Sequence, residues 1–384
     1  MPSVNDIVGI AESLQKSPVY VDRDRCVAVR NRNATCRKCV DACIVGAISI
    51  EQNQITLSAN ECMACGACTT VCPTEALVAL KPTEGQMVAA AQKASEPDGR
   101  VVYACARISS KHLADPERFV EVPCIARVDE AAILPLVAQG ASSVLLVDGH
   151  CKTCKYRDCV PGMNAAVESA NQLMAAQGCG VRVVRTSAFP DDMLLDETQN
   201  KFGSTRRGFF SDTVSAARDI TMTAAKTAIE QELGVPAESD IEIGQRLRAD
   251  SHGNLPQFEA KHHNDVVNAM YDLGDPVVDS IDTRVFGSVE VDAQKCNGCG
   301  MCAVFCPTCA MRRDERKKPY TNPEYLEFDA ALCTQCGMCV DVCWKKAITL
   351  SSVVSLSQLF DFEPRRFDLS QEKGPRTGVK RLFS

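Results

Sequence analysis

The sequence predicts a protein of mixed α/β and α+β class, in which two small cysteine-rich domains flank a small doubly wound parallel-sheet domain. Two observations lead to this prediction. Similar cysteine runs recur near both ends of the chain, and apolar strands alternate with helical stretches between them. We therefore expect domains at residues 1–95, 96–190 and 286–352, a helical connector at 191–285 and an extended tail at 353–384.

The composition is that of a globular protein with an unusual number of thiols. Of 384 residues, 45% are hydrophobic and 24% are charged, but 23 are cysteine. The cysteines cluster at short gaps, which suits metal ligands better than disulfides between distant segments. A net charge of −7 argues against a nucleic-acid ligand. The first 20 residues lack signal-peptide features and no apolar run is long enough for a bilayer, so we expect a reducing, cytoplasmic location.

Cysteine runs define the two outer domains. Near the N-terminus, CRKCVDAC at 36–43 is followed by CMACGACTTVCP at 62–73. Between them, AISIEQNQITL at 47–57 alternates apolar and polar residues around a polar tip, which predicts a short hairpin. Near the C-terminus, CNGCGMCAVFCP at 296–307 is followed by CTQCGMCVDVCW at 333–344. Each full run has the spacing C-x2-C-x2-C-x3-C.

These runs resemble those of bacterial-type dicluster ferredoxins, over residues 20–80 and 288–350. The resemblance implies two dicluster ferredoxin-like domains and four [4Fe–4S] clusters, in which the last cysteine of each run binds the cluster of the partner run. Zinc also takes four cysteines, but it normally uses paired C-x2-C knuckles. By position, the implied ligand sets are Cys26, Cys36, Cys39 and Cys72; Cys62, Cys65, Cys68 and Cys43; Cys296, Cys299, Cys302 and Cys343; and Cys333, Cys336, Cys339 and Cys306.

The first of these sets departs from the regular spacing. Three positions before Cys36 stands Asn33, which cannot supply a thiolate. Cys26 lies ten positions before Cys36, in front of the polar insert VAVRNRNAT at 27–35. We expect an extended loop to bring Cys26 in as the first ligand; a three-cysteine cluster and no cluster are the alternatives.

Four apolar strands predict a parallel sheet in the middle domain. GRVVYACA, RFVEVPC and ASSVLLVDGHC each contain a strand followed by a cysteine, and VRVVRTS is the fourth strand. DEAAILPLVAQG and NAAVESANQLMAAQG are helical stretches that close on glycine. Ligands of such sheets bind beyond the carboxyl ends of the strands, so we expect the cysteines there to converge. They are Cys105, Cys124, Cys151, Cys154 and Cys159, whereas Cys179 is predicted as a buried thiol at the opposite edge.

Three interpretations of these five cysteines stay open: a metal centre, a redox-active pair at Cys151 and Cys154, and simple packing. Residues 122–156 resemble the delta subunit of methyl-viologen-reducing hydrogenases, and the resemblance implies a [2Fe–2S] cluster. The family's GCHxGxCHY corresponds to DGHCKTCKY here, so Cys154 keeps its place but Gly149 stands where the family has its first cysteine. The five cysteines are therefore candidate ligands of a [2Fe–2S] or another centre.

The connector, the tail and some single residues give weaker signals. Residues 204–234 predict a helix with Ser211 as its N-cap, and KHHND at 261–265 predicts a solvated helix face. The tail lacks core character. Trp344 is predicted to pack against its neighbours, and Cys309 to be structural rather than a ligand.

The absence of two nucleotide-binding motifs from the sequence limits the range of functions that we expect. No G-x-G-x-x-G follows a strand and no G-x4-G-K-[ST] occurs, so we expect no site for nicotinamide, flavin or nucleoside triphosphate. Clusters with four thiolate ligands would pass single electrons, so the chemistry would lie in another subunit. We expect a non-catalytic relay in an anaerobic oxidoreductase complex, without a transmembrane segment, although peripheral association with a membrane complex stays open.

The expected partners are a flavoprotein or ferredoxin donor and a catalytic subunit. That subunit would be a heterodisulfide-reductase-like protein, a hydrogenase, a formate dehydrogenase or a molybdopterin enzyme. One alternative is a thiol–disulfide reductase that uses Cys151 and Cys154 and receives electrons from the clusters. The other is an assembly scaffold in which the clusters have only a structural role.

Overall fold

The structure is a computed structural model that describes residues 18–96, 98–195, 254–313 and 323–369. The predicted helix with Ser211 as its N-cap lies outside the described residues. Within those ranges, no helix has both the length and the apolar character needed to cross a bilayer.

The N-terminal domain wraps short strands and single-turn helices around its cysteines. Its elements are β1 (Val19–Val21), α1 (Val27–Arg30), α2 (Lys38–Ala42), β2 (Ile48–Glu51), β3 (Gln54–Leu57) and β4 (Leu77–Ala79). The predicted hairpin is confirmed: β2 pairs antiparallel with β3, and Gln52 and Asn53 take positive φ at its tip. β1 pairs antiparallel with β4 and so closes the domain around the cysteines.

The middle domain contains the predicted parallel sheet. Its elements are α3 (Glu84–Ser95), β5 (Arg100–Cys105), α4 (Ala106–Ser109), β6 (Val120–Val122), α5 (Glu130–Ala138), β7 (Ser143–Val147), α6 (Val160–Ala176) and β8 (Val183–Thr186). The four strands are parallel, in the order β6-β5-β7-β8. Asp129 begins α5, because its carboxylate accepts the N–H of Ala132 at 3.2 Å. The placement of helices on both faces stays a prediction.

The C-terminal domain repeats the closure of the N-terminal one. Its elements, with the helix that precedes it, are α7 (Lys261–Asp272), β9 (Ser280–Asp282), β10 (Ser288–Val291), α8 (Met301–Phe305), β11 (Met311–Arg313), β12 (Tyr325–Phe328), α9 (Met338–Asp341), β13 (Ile348–Ser351), β14 (Val353–Ser355), α10 (Leu356–Phe360) and β15 (Arg365–Asp368). β10 lies before the cysteines, β13 lies after them, and the two pair antiparallel.

The tail prediction was wrong over its described part. β14 pairs with β9 and β15 pairs with β12, while Leu356 and Leu359 of α10 are fully buried. Residues 353–369 therefore pack onto the C-terminal domain and add side chains to its core. The sequence did not reveal this because the buried residues are few and widely spaced.

The prediction of a solvated face for KHHND was also wrong. His263 is buried, its Nε2 lies 2.8 Å from the carbonyl oxygen of Ala331, and burial lowers its pKa to about 4. The Glu75 carboxylate accepts the backbone N–H groups of Lys261 (3.1 Å) and His262 (2.9 Å), so it caps α7. A side chain from the N-terminal domain thus begins a helix of the connector.

Further contacts join the middle domain to both of its neighbours. The Arg284 guanidinium donates two hydrogen bonds of 2.7 Å to the Glu130 carboxylate at the start of α5. The Tyr156 hydroxyl donates to the carbonyl oxygen of Met63 at 2.8 Å. Met63 lies within the second cysteine run, so the middle domain reaches that run directly.

Candidate metal centres

The first candidate centre, group 1, consists of Cys26, Cys36, Cys39 and Cys72. Cys26 immediately precedes α1, and Cys39 lies within α2. Burial raises the pKa of Cys26 to about 12, and negative charge at Cys72 and Cys36 adds to the shift. Burial also raises the pKa of Cys39 to about 12, with further contributions from Cys72, Cys26 and Cys36. The four thiols therefore lie within electrostatic range of one another, and Cys26 is among them.

Group 2 consists of Cys43, Cys62, Cys65 and Cys68. Burial raises the pKa of Cys68, and charge at Cys65, Cys62 and Cys43 raises it further. Burial raises the pKa of Cys62 as well, again with contributions from Cys65 and Cys43. The last cysteine of the first run thus meets three cysteines of the second, in the arrangement that the ferredoxin resemblance implies.

In the C-terminal domain, too, the last cysteine of each run lies with three cysteines of the other run, and these sets form groups 3 and 4. Burial raises the pKa of Cys336 to about 12, and charge at Cys306 and Cys333 acts in the same direction. Burial raises the pKa of Cys302, and charge at Cys296, Cys299 and Cys343 adds to it. Group 3 is Cys306, Cys333, Cys336 and Cys339, and group 4 is Cys296, Cys299, Cys302 and Cys343.

The last cysteine of each run accepts a backbone hydrogen bond from a residue four or five positions further on. Such N–H donors favour the thiolate form of the sulfur that accepts them. The bonds run from Ala47 to Cys43 (3.2 Å), Ala76 to Cys72 (3.3 Å), Met311 to Cys306 (3.4 Å) and Ala347 to Cys343 (3.3 Å). The four sulfurs that would bind the partner run's cluster are thus held in one local geometry.

The donor set fits iron–sulfur clusters better than single ions. Burial and mutual repulsion oppose ionisation of these thiols, so a cationic group is needed to hold them together as thiolates. Within the described part of the chain, no three His, Cys, Asp or Glu side chains have the spacing of a single-ion site. Four cysteines at the spacing C-x2-C-x2-C-x3-C are the usual ligand pattern of [4Fe–4S] clusters.

Buried donors beside the thiols also fit a cluster. Arg30 Nε, and Arg127 Nε and Nη1, are buried without a hydrogen-bond partner among the described residues. Arg127 packs against the second cysteine run, since a Cβ on Gly66 would lie 2.4 Å from its Cδ. Unpaired buried donors are costly in a finished protein, and cluster sulfurs accept such bonds.

A fifth collection of thiols lies beyond the carboxyl ends of the middle-domain strands. Burial raises the pKa of Cys151 to about 11, and Asp148, Cys124 and Cys105 act in the same direction. Cys159 lies beside Cys124, and its thiol lowers the pKa of Cys124. The middle-domain thiol group is therefore Cys105, Cys124, Cys151 and Cys159.

Cys154, the one cysteine that keeps its place in the hydrogenase pattern, is half-buried, and its sulfur accepts the N–H of Tyr156 at 3.5 Å. Cys179 is also half-buried rather than fully buried as predicted.

The middle-domain thiol group contacts group 2 through one side chain. Cys159 lies beside Cys65 as well as Cys124, and its thiol lowers the pKa of Cys65 to about 6. The interactions with Cys124 and Cys65 raise the pKa of Cys159 itself. Sequence reasoning missed this link, because Cys65 and Cys159 belong to different predicted domains.

Family comparisons agree with this layout. Residues 32–76 and 295–347 each match the model of the 4Fe-4S dicluster domain. Residues 100–198 match the methyl-viologen-reducing hydrogenase, delta subunit. The chain carries two 4Fe–4S dicluster domains around a hydrogenase-delta domain. The first dicluster match begins after Cys26, so the prediction that Cys26 belongs to group 1 is supported only by its interaction with Cys72 and Cys36. No curated protein shows significant similarity to the chain.

The prediction for Trp344 was wrong. It directly follows Cys343, yet 64% of it is exposed, and the Lys345 ammonium lies 4.0 Å from its ring centroid. Its exposure could not be predicted from the sequence, because tryptophan is usually buried.

Proposed function

We propose that this protein is an electron-transfer subunit that relays single electrons through four [4Fe–4S] clusters held by groups 1 to 4. The proposal is supported by sixteen cysteines that interact in four groups of four, of which all but Cys26 lie within the two matches to the dicluster domain. When bound, such clusters accept and release one electron each. The surrounding residues exclude water and supply the backbone N–H bonds that stabilise the ligand sulfurs.

Charge interactions between thiols of neighbouring groups support a relay. Burial raises the pKa of Cys339 in group 3, and Cys302 of group 4 contributes to that shift. In the same way Cys36 of group 1 acts on Cys336 of group 3, and Cys39 of group 1 acts on Cys68 of group 2. Cys65 then contacts the middle-domain thiol group. We therefore propose an electron path from group 4 through groups 3, 1 and 2 to the middle domain.

We assign a further centre, [2Fe–2S] or another type, to the middle-domain thiol group. Its four thiols come from the ends of three strands and from the start of α6, and they interact with one another. Their position at the end of the proposed path would extend the relay by one step. The alternative of a thiol–disulfide reductase that uses Cys151 and Cys154 stays a prediction, as does the scaffold alternative.

Iron and acid-labile sulfide analysis of anaerobically purified protein tests both assignments. About sixteen irons per chain are expected for four cubanes, and about eighteen with an additional [2Fe–2S] cluster. Four irons or fewer, or stoichiometric zinc, would contradict the relay. Reduction by dithionite, followed by electron paramagnetic resonance, separates a relay from a scaffold, since only a relay must be reduced reversibly.

The proposed partners are a flavoprotein or ferredoxin donor and a catalytic oxidoreductase subunit of a heterodisulfide-reductase-like, hydrogenase, formate dehydrogenase or molybdopterin type. The match to a hydrogenase delta subunit supports a place in such a redox complex. Anaerobic co-purification of the native complex would identify the partner. A protein isolated alone, with all its iron, would argue for a freely diffusing carrier instead.

A further inference from the structure

The insert at 27–35, which breaks the regular cysteine spacing, packs against the C-terminal dicluster domain. Val27 forms a small buried core with Met338 and Val342 of the other domain. The Thr35 N–H donates to Asp341 Oδ2 at 2.8 Å, and its hydroxyl lies 3.1 Å from the same carboxylate. A regular C-x2-C spacing would leave no room for these contacts, because they all come from the added residues.

Arg30 of the insert is buried at this boundary with only 6% of it exposed. Its Nη1 and Nη2 donate to the carbonyl oxygens of Asp24 (3.1 Å) and Pro256 (2.7 Å), and its Nε has no partner among the described residues. Burial lowers the pKa of Arg30, while negative charge at Cys306 and Cys336 opposes that shift. A guanidinium remains charged at neutral pH even so.

Charge also acts across the boundary in the opposite direction. The Asp341 carboxylate of the C-terminal domain accepts the N–H of Thr35, the residue before Cys36, and Cys36 of group 1 and Cys336 of group 3 both pack against the Val27 core. Each dicluster domain therefore places one charged side chain beside a thiol group of the other domain. Arg30 lies next to group 3, and Asp341 lies next to group 1.

We propose that the insert is the electron junction between the two dicluster domains, and that Arg30 and Asp341 set the reduction potentials of the centres on either side of it. The proposal rests on the proposed relay function. One electron leaves the centre in one domain, which is oxidised by one, and the centre in the other domain is reduced by one, without a proton or an additional reactant. Arg30 and Asp341 are positioning residues: they act on the centres through their charge and do not bind iron.

The two charges have opposite effects on the equilibrium across the junction. A reduced cluster carries one more negative charge than an oxidised one, so a nearby cation stabilises the reduced form and raises the potential. Loss of the Arg30 charge should therefore lower the potential of the group 3 centre. Loss of the Asp341 charge should raise the potential of the group 1 centre.

The test is a redox titration, followed by electron paramagnetic resonance, of the full chain purified without oxygen. Arg30→Gln is expected to shift at least one of the four midpoint potentials to a more negative value and to leave the group 4 centre unchanged. Asp341→Asn is expected to shift a midpoint potential to a more positive value. Arg32→Gln is the matched control, because Arg32 belongs to the same insert but is exposed.

The outcomes separate the junction from the relay itself. Wild-type protein with full iron, whose potentials move in neither variant more than in Arg32→Gln, overturns the junction and leaves the relay intact. Wild-type protein without iron overturns the relay. If Arg30→Gln loses its iron, Asp341→Asn decides: a positive shift supports the junction, and an unchanged set of potentials overturns it.

Discussion

The two dicluster domains reach the same grouping of four sulfurs by different backbone routes. In three of the four runs the second cysteine is followed by a glycine with positive φ: Gly66 at 80°, Gly300 at 69° and Gly337 at 78°. The first run has Arg37 there, with a φ of −132°. Its first cysteine comes from beyond the insert, and yet Cys26 interacts with Cys36 and Cys72.

This difference shows that the grouping of four sulfurs is the common feature of the motif, whereas the loop that positions them can vary. The left-handed glycine is one way to turn the chain closely around a set of sulfurs. A longer loop with a helical turn at α1 is another. The longer loop also carries side chains that the tight loop cannot, and here those side chains contact the other domain.

Among the substitutions that compare the two dicluster domains, Cys26→Ser should have the largest effect. If the insert replaces the tight loop, loss of the Cys26 thiolate removes a ligand from group 1, and iron content should fall from about sixteen to about twelve per chain. Iron analysis and the resonance spectrum of the reduced protein measure this. Cys179→Ser is the matched control, because Cys179 lies outside all of the groups and should keep full iron. Full iron in Cys26→Ser would show that the first run closes its cluster without Cys26.

Glycine substitutions compare the tight loops with one another. Gly337→Ala should cost about 1 kcal/mol from its positive φ alone, since nothing lies within 4 Å of the added Cβ. Gly66→Ala should lower the thermal unfolding midpoint further, because the added Cβ would lie 2.4 Å from Arg127 Cδ. Equal shifts in the two variants would mean that Arg127 moves aside without cost.

A pH titration isolates a contact between the middle domain and α7 of the connector, which has no counterpart at the C-terminal dicluster domain among the described residues. The His262 side chain, 30% exposed, pairs with Glu84 at the start of α3. Although burial alone would lower it, this pairing raises the pKa of His262 from 6.5 to about 9. The stabilisation is therefore complete below pH 6.5 and is lost as pH rises through about 9. Thermal unfolding between pH 6 and 10 should show a decline that His262→Gln flattens; an unchanged slope would contradict the pairing.

Trp344→Ala should have the smallest effect. The residue is largely exposed although it follows a predicted ligand, so its removal should change the free energy of unfolding by no more than about 0.5 kcal/mol. Iron content and the thermal midpoint should both match wild type. A clear loss of iron would indicate that the ring shields group 4 from solvent.

Much of the candidate site was predictable because ligand spacing is local. The four-cysteine runs, the hairpin at 47–57 and the four strands of the middle sheet all leave short-range patterns in the sequence. The exchange of the last cysteines between runs followed from the family resemblance. Cys26 followed from elimination, since Asn33 cannot be a ligand; its thiol interacts with those of Cys72 and Cys36, and its role as a ligand stays a prediction.

What the sequence could not supply depends on contacts between distant segments. Arg30 and Arg127 are ordinary polar residues by pattern, and only the packed structure shows that they are buried beside thiol groups. His263 appeared solvated because its partner, Ala331, is 68 positions away. Residues 353–369 were assigned to a tail because their strand partners lie in other segments.

The Glu75 carboxylate at the start of α7 has a consequence for biogenesis. Glu75 leaves the ribosome long before Lys261, which lies 186 positions later. Domains usually fold as they emerge, beginning from the N-terminus. The first half can thus fold, with Glu75 in place, before the connector is synthesised. The second half then packs against this folded part. Truncation after the middle domain should accordingly yield a soluble fragment, whereas a fragment that starts at residue 254 would lack the anchor for its first helix.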